Sequence, residues 1–353
     1  MLRSISCRSF RNLIDAEWSP SAGSNLIFGL NGSGKSSLLE AVYLVATTRS
    51  FRTTRLQECL CSGHETFHLM AEVERQGRSR IELSHDASGK WRAVNGTSGP
   101  IAEHLEVLPV VSWTTRDAEL FRGPPAMRRG FLDRGVVAER STALAAFTEY
   151  RRALDAKRAA LERQPEALEE WNAVLAAKGA VVAAMRAEWS IRLQAELDNV
   201  LASSELGFKE VRLRYRPSPP EAAAGEQAFL AALQRVAPRE RSQRRVLIGP
   251  HRDDLAIEWP AGPVGALASA GERKLLGLAL LLAHGTLVGE RGRTPLYLVD
   301  DFDAELDRGR VEQVWELLSG VSQLLATSSR EGVVSGLESD SRWKLEKGVL
   351  SPY

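Results

Sequence analysis

The sequence predicts an α/β head interrupted by an inserted α-helical lobe, and three observations lead to this fold class. An apolar strand at residues 25–28 runs through a glycine-rich loop into an apolar helix. A second apolar strand, at residues 295–299, ends in two carboxylates. Between them, residues 127–202 are rich in Ala, Arg, Glu and Leu and poor in Gly and Pro, which is typical of long helices.

The glycine-rich loop fits the pattern G-x-x-x-x-G-K-[ST] in full and lies between a strand and a helix, as a phosphate-binding P-loop requires. Glycines let the backbone curl until its N–H groups point at phosphate oxygens, and the helix start adds partial positive charge. Lys35 is expected to reach the β- and γ-phosphates, and Ser36 to ligate Mg²⁺. The predicted nucleotide-binding residues here are Gly29, Leu30, Asn31, Gly32, Ser33, Gly34, Lys35, Ser36 and Ser37.

The strand at residues 295–299 supplies the acids that a hydrolytic P-loop site needs. In a parallel sheet, functional residues lie at the carboxyl ends of the strands. We assign Asp300 to Mg²⁺ binding, through a water, and Asp301 to orienting or deprotonating the attacking water. Lys35, Asp300 and Asp301 are therefore the predicted catalytic residues.

A second helix start precedes this strand, in the order Ser269-Ala270-Gly271-Glu272. A serine hydroxyl and free N–H groups at a helix start form another phosphate site. One γ-phosphate cannot be shared by two such sites in one chain without crowding. The economical solution is that Ser269, Gly271 and Glu272 contact the nucleotide that a second copy of the chain holds.

The spacing of these motifs implies an insertion, because a compact head needs far fewer residues between the P-loop and the acidic strand. We predict a discontinuous head at residues 1–122 and 245–353, with the helical lobe at residues 123–244. Gln164-Pro165 is expected to break two long helices of the lobe.

Within the head, residues 67–97 alternate apolar and polar side chains, which predicts an antiparallel β meander. The helical insert has no heptads sustained over many turns, so a long coiled coil is not expected.

The order of P-loop, S-x-G-[QE] and a strand ending in Asp-Asp resembles the ABC-type ATPase heads of the SMC class. Further stretches, in order along the chain, are similar to the RecF family of bacterial recombination mediators. These stretches are Phe10-Arg11-Asn12-Leu13, Arg49-Ser50-Phe51-Arg52, Gly123-Pro124-Pro125, Arg128-Arg129-Gly130-Phe131-Leu132-Asp133, Gly249-Pro250-His251-Arg252-Asp253-Asp254-Leu255 and Asp301-Phe302-Asp303-Ala304-Glu305-Leu306-Asp307.

The resemblance implies an ATP-dependent homodimer that binds DNA at single-strand gaps or at junctions of double- and single-stranded DNA. It implies RecR and RecO as partners in placing a recombinase on DNA, and it adds Arg11 and Asn12 to the nucleotide-binding residues. Its expected ligands are ATP and Mg²⁺.

The chain departs from the ABC pattern in three places. It carries Asp301 where ABC ATPases carry Glu, and the shorter side chain predicts slow hydrolysis. Residues 110–117 contain no glutamine for the Q-loop role. Residues 324–329 contain no histidine, so Thr327 or Ser328 is expected to supply the switch contact.

The net charge does not favour or exclude an anionic partner, because 46 Lys and Arg balance 45 Asp and Glu. Any attraction to such a partner must come from local basic patches. Several basic clusters exist, and no motif that reads DNA sequence accompanies them. The clusters are Arg49/Arg52/Arg55, Arg128/Arg129, Arg151/Arg152/Lys157/Arg158 and Arg241/Arg244/Arg245. Three cysteines without metal spacing, and no apolar run of about 18 residues, predict a cytoplasmic protein without a membrane segment. An alternative remains open: a nucleotide-gated scaffold for protein partners, or another SMC-like ATPase.

Overall fold

A computed structural model describes residues 1–75, 77–163, 168–204, 206–208, 210–290 and 292–353. The predicted helix break at Gln164-Pro165 lies outside the described residues. The strands, in chain order, are β1 (Leu2–Phe10), β2 (Leu13–Trp18), β3 (Ser24–Phe28), β4 (Phe67–Glu74), β5 (Arg78–Asp86), β6 (Gly89–Val94), β7 (Val110–Trp113), β8 (Arg212–Arg216), β9 (Asp254–Trp259), β10 (Gly262–Pro263), β11 (Leu296–Val299), β12 (Leu324–Ser328), β13 (Ser341–Glu346) and β14 (Val349–Pro352). The α-helices are α1 (Lys35–Thr47), α2 (Ile101–Val107), α3 (Pro125–Glu139), α4 (Ala143–Arg163), α5 (Leu168–Ser203), α6 (Glu226–Gln243), α7 (Val264–Leu267), α8 (Ala270–Gly289), α9 (Arg308–Ser319) and α10 (Glu331–Val334).

The chain folds into two compact units. Unit 1 comprises Met1–Ala118, Asn199–Gly207 and Ala268–Tyr353, and unit 2 comprises Glu119–Asp198 and Phe208–Leu267. The last segment of unit 1 begins at residue 268, whereas the sequence pattern placed the return to the head at residue 245. No helix in the described part of the chain combines the length and apolarity that a bilayer crossing requires.

A six-stranded sheet of unit 1 has the order β14-β13-β3-β12-β11-β7. All neighbours from β13 to β7 are parallel, and only β14 is antiparallel. The central strands β3, β11 and β12 are buried along their whole length, which explains their continuous apolar sequences. Their carboxyl ends meet at one edge, where the predicted site residues follow them.

A second sheet of unit 1 is antiparallel, in the order β2-β1-β4-β5-β6. It contains the predicted meander, which is confirmed as β4, β5 and β6. Helix α1 is buried on nearly every side, and the core cluster joins it to strands of both sheets. The P-loop helix therefore has its position fixed by packing from both layers.

Helix α8 packs directly on the parallel sheet because glycines occupy two of its contact positions. A Cβ on Gly277 would overlap the Trp113 ring of β7, and one on Gly285 would overlap the Tyr297 side chain of β11. This close approach fixes the helix that begins at Ser269 against the strands that lead into the acidic loop.

Unit 2 combines helices with a small sheet. Its core cluster is formed by α4, α5 and α6, with Leu161, Leu175 and Phe229 completely buried. Strands β8, β9 and β10 form an antiparallel sheet in the order β10-β9-β8. The lobe is thus not purely helical, as residues 212–216 and 254–259 add strands that the helical pattern did not predict.

Two of the sequence stretches that carry the family resemblance meet inside unit 2. Arg128 donates two hydrogen bonds, of 2.6 and 3.1 Å, to Asp254. Arg129 donates to the backbone oxygen of Asp253 at 2.9 Å. These two arginines, which form a basic cluster in the sequence, are held by acids and carbonyls of the chain itself.

A buried network continues from there. Arg186, which is 4% exposed, donates to both oxygens of Asp133 at 2.8 and 3.0 Å and to Asp253 at 2.8 Å. Tyr215 of β8 also donates to Asp253. These contacts bind the stretch at residues 249–255 within unit 2.

Candidate nucleotide site

Three predicted residues come together at the carboxyl edge of the parallel sheet. Ser36 Oγ donates to Asp300 Oδ1 at 3.0 Å, and Thr327 Oγ1 donates to the same oxygen at 2.8 Å. The hydroxyl of Thr327 in turn accepts from the backbone N–H of Asp301 at 2.8 Å. The P-loop helix, the acidic strand and the switch strand β12 are joined through one carboxylate.

These oxygens suit Mg²⁺, the metal that the fold family implies. Mg²⁺ at phosphate sites takes one or two oxygen ligands from the protein and fills its octahedron with water and phosphate oxygens. Ser36 and Asp300 offer two neighbouring hard oxygens, and Asp300 is only 3% exposed. The donor set fits the metal as predicted from the sequence.

The glycine loop has the backbone that its sequence requires. Gly32 and Gly34 have φ of 80° and 117°, in the left-handed region that favours glycine. Leu30, Asn31 and Gly32 are exposed at the tip of the loop, while Ser33 and Ser37 are buried. Residues 29–34 thus form a curled loop that leads directly into α1.

The ammonium group of Lys35 folds back over the loop. Its Nζ donates to the carbonyl oxygens of Gly29 at 2.7 Å and Leu30 at 3.2 Å. Burial lowers the pKa of Lys35, against the opposite effect of Asp301 and Asp300. A phosphate ligand would offer this amine stronger acceptors than the two carbonyls do.

Asp301 has an environment that differs from that of Asp300. Its φ is 46°, and its Oδ1 is buried without a hydrogen-bond partner among the described residues. Burial raises the pKa of Asp301, and the neighbouring Asp300 raises it further. A carboxylate with a free oxygen and a raised pKa is suited to accept a proton or to orient a water.

Lys274 is a site residue that the sequence patterns did not identify. From α8 its buried Nζ donates to the backbone oxygen of Asp301 at 2.8 Å. Burial lowers the pKa of Lys274, while Asp301 and Asp300 raise it. The available signal was its position two residues after Glu272, which places it one helical turn inside the predicted second phosphate site.

Ser269 caps α8 as predicted, in a capping box with Glu272. Glu272 N–H donates to Ser269 Oγ at 3.2 Å, and Ser269 N–H donates to Glu272 Oε2 at 2.8 Å. Ser269 and Glu272 are exposed and Gly271 is half-buried. Helix α8 packs on β7 and β11, whereas the P-loop follows β3, which lies three strand spacings, about 14 Å, from β7.

Arg11 and Asn12, both predicted to bind nucleotide, contact different parts of unit 1. Arg11 makes a two-bond ion pair with the buried Glu40 of α1, at 2.8 and 2.9 Å, so the structure directs its side chain to α1. Ser50 also donates to Glu40, which joins two of the family stretches at one carboxylate. Asn12 Nδ2, in contrast, donates to the Gly32 carbonyl of the P-loop at 3.0 Å.

The comparisons with known proteins agree with this geometry. The family model of the RecF/RecN/SMC N terminal domain matches residues 1–350. The DNA replication and repair protein RecF of Cyanothece sp. is 32% identical, over 99% of this chain and 95% of the relative. RecF of Shigella dysenteriae is also 32% identical, over 98% of both chains.

Among solved structures, the recombination mediator protein RecF with ATP, from the RecFOR pathway, superposes with a TM-score of 0.89 at 24% identity, over all of this chain and 97% of the other. An SMC head bound to the C-terminal winged-helix domain of ScpA gives a TM-score of 0.58 at 17% identity, over all of this chain and 96% of the other. With full-length matches to the family model and to curated relatives above 30% identity, the chain belongs to the RecF family.

Proposed function

We propose that this chain is an ATP-dependent DNA-binding protein of recombinational repair. ATP binding brings two copies together, DNA gaps or junctions bind to the dimer, and slow hydrolysis of ATP resets it. The observation that carries the proposal is the set of Ser36, Asp300 and Thr327 at one sheet edge beside a P-loop, with a separate, exposed helix start at Ser269.

The chemistry that supports ATP hydrolysis comes from the residues of unit 1. Lys35 and the loop N–H groups hold the phosphates, and Asp301 orients the attacking water through its free oxygen. Mg²⁺, when bound by Ser36 and Asp300, neutralises phosphate charge. Turnover is slow because Asp301 is shorter than the glutamate of ABC ATPases and reaches the water less well.

The exposed capping serine supports a shared site. Ser269 is exposed at the start of α8, where its hydroxyl accepts from the Glu272 N–H. A helix start of this kind attracts anions through its partial positive charge. In the dimer, Ser269, Gly271 and Glu272 of one copy close over the triphosphate in the P-loop of the other.

DNA binding rests on phosphate contacts rather than on base reading. Among the basic clusters of the sequence, the one in the loop after α1 lies in unit 1. Arg49 and Arg55 are exposed and have no ion pair with a described carboxylate. RecR and RecO are the proposed protein partners, by analogy with the RecFOR pathway in which the solved relative acts. A cytoplasmic location is the one in which these partners and DNA occur together.

The function is tested by ATP turnover and gel-shift measurements with no DNA, single-stranded, double-stranded and gapped DNA. The proposal predicts that DNA binding depends on ATP, is tightest on gapped DNA and weakens steeply with salt. It also predicts that duplex-containing DNA stimulates ATP turnover. ATP binding without any ATP-dependent DNA binding at low salt would instead support the nucleotide-gated scaffold.

A further inference from the structure

The P-loop is held from outside by two hairpin turns. Asn12, in the turn between β1 and β2, donates from Nδ2 to the Gly32 carbonyl oxygen at 3.0 Å. Gly348, in the turn between β13 and β14, donates its backbone N–H to the Ser33 carbonyl oxygen at 2.9 Å. Consecutive carbonyls of the loop are therefore each bound by a donor that belongs to another part of unit 1.

Fixing a carbonyl also fixes an N–H, because C=O and N–H of a trans peptide point in opposite directions. The bond to the Ser33 carbonyl orients the N–H of Gly34 away from Gly348. The bond to the Gly32 carbonyl orients the N–H of Ser33, which closes the loop on the Leu30 oxygen at 3.1 Å. These bonds hold the curled conformation of the loop without any phosphate.

The packing at this point leaves no room for a side chain. Gly348 has φ of +82°, and a Cβ on it would lie 2.6 Å from the backbone oxygen of Asn12. A Cβ on Gly29, at the start of the loop, would overlap the Leu345 carbonyl of β13. The two turns therefore press on each other as well as on the P-loop, and displacement of one is transmitted to the other.

We infer that Asn12 and Gly348 are positioning residues that preorganise the P-loop for phosphate. This inference rests on the proposed binding of ATP in that loop. Preorganisation increases affinity because the ligand does not have to order the loop on binding. Each acts through a loop carbonyl, so this role of Asn12 differs from the direct nucleotide contact that the family resemblance implies.

The decisive comparison is between Gly348→Ala and a matched control, Gly96→Ala. Gly96 also lies in unit 1 with φ of +78°, and no atom lies within 4 Å of a Cβ placed on it. Both variants therefore carry similar backbone strain. The dissociation constant of ATP from titration calorimetry and the melting temperature of the free protein are measured for each.

We expect Gly348→Ala to raise the Kd of ATP about tenfold, the order of one net hydrogen bond, while Gly96→Ala leaves the Kd at the wild-type value. An unchanged Kd in Gly348→Ala, with ATP binding intact in the wild type and in Gly96→Ala, would overturn the inference alone. Failure of the wild-type protein to bind ATP would overturn the proposed function instead.

Asn12→Ala supplies a second test without backbone strain, in case Gly348→Ala does not fold. The probes are ATP and inorganic tripolyphosphate, the latter as a competitor of a fluorescent ATP analogue. A positioning role predicts that both ligands lose affinity by a similar factor, since the effect resides in the phosphate loop. Loss for ATP alone would show a contact with the nucleoside and would contradict the inference.

Discussion

The buried charged side chains of unit 2 and those of the predicted nucleotide site in unit 1 differ in how they are paired. In unit 2, Arg186 lies between Asp133 and Asp253, and Lys157 forms an ion pair of 2.7 Å with Glu240 that is completely buried. In unit 1, Lys35 is bonded only to carbonyl oxygens of its own loop, and a buried oxygen of Asp301 has no described hydrogen-bond partner. The first set is internally paired and the second is not.

This difference in pairing distinguishes two roles, structural and functional, among the residues that carry the family resemblance. A buried charge costs several kcal/mol unless another group compensates it, so the paired network of unit 2 is part of the fold. The partly compensated charges at the sheet edge of unit 1 persist because a ligand is expected to complete them. The state of pairing therefore distinguishes structural motif residues from functional ones, which the motifs alone do not.

The largest effect is expected in unit 2, from Arg186→Met. The substitution keeps most of the side-chain volume and leaves Asp133 and Asp253 without their cation, so the free energy of unfolding should fall by about 3–5 kcal/mol. Chemical denaturation measures it. The control is Arg158→Met, which removes an exposed pair with Asp155 and should cost less than about 0.5 kcal/mol. Equal losses in the two variants would contradict the structural role of the network.

Lys35→Ala is expected to weaken ATP binding by about a hundredfold or more, equivalent to ~2.7 kcal/mol, because it removes the cation that faces the β- and γ-phosphates. The melting temperature of the free protein should not fall, since Lys35 makes no ion pair with a described carboxylate. The matched control Lys178→Ala removes a surface pair with Glu149 and should bind ATP normally. A parallel loss of stability and of affinity in Lys35→Ala would show that its role is structural.

Ser269→Asp and Ser269→Asn form a pair that separates capping from phosphate binding. Asp and Asn both cap helices as well as Ser does, so neither variant should change stability appreciably. The aspartate places a negative charge where the partner's phosphate is expected, and ATP-induced association should weaken about thirtyfold, or ~2 kcal/mol. Sedimentation at several protein concentrations with ATP measures this. Equal association of the two variants would exclude a phosphate at this helix start.

The last prediction concerns the pH dependence of stability and a histidine of unit 2. Burial, with Arg158 and Arg252 nearby, lowers the pKa of His251 from 6.5 to about 3 in the folded chain. As pH falls, the unfolded chain binds this proton first, so the contribution to stability is complete above pH 6.5 and is lost between pH 6.5 and 3. The loss approaches about 1.4 kcal/mol for each pH unit.

His251→Asn keeps an acceptor near the Tyr150 hydroxyl, which lies 2.8 Å from Nδ1, and should reduce this acid dependence of stability. Denaturation curves between pH 4 and pH 7 provide the measurement, and the exposed His64→Asn is the control. If both variants retain the wild-type slope, His251 is not the group responsible.

The parts of the fold that depend on local sequence patterns could be predicted from the sequence. The strand, loop and helix around Lys35, the acidic strand before Asp300 and the cap at Ser269 each depend on residues close in the chain, and the structure contains all three. Thr327 or Ser328 was expected to supply the switch contact because residues 324–329 contain no histidine, and parallel pairing of β11 with β12 places Thr327 beside Asp300.

The remaining features depend on tertiary contacts that a pattern does not contain. The direction of Arg11 is set by Glu40, 29 positions later. The extent of unit 2 depends on the pairing of β8 with β9 and of Arg128 with Asp254, contacts between residues far apart in the chain that composition does not contain. Lys274 lies inside an apolar helical run, and its contact with the Asp301 carbonyl follows from the close packing of α8 on the sheet.

The central claim, a triphosphate shared between two copies, is tested most directly by mixing two inactive variants. In a mixed dimer of Lys35→Ala and Ser269→Asp chains, one site combines the intact P-loop of the second chain with the intact Ser269 of the first. We predict that each variant alone lacks ATP turnover and that the mixture regains it, through that single complete site. A mixture as inactive as its components would contradict the shared site.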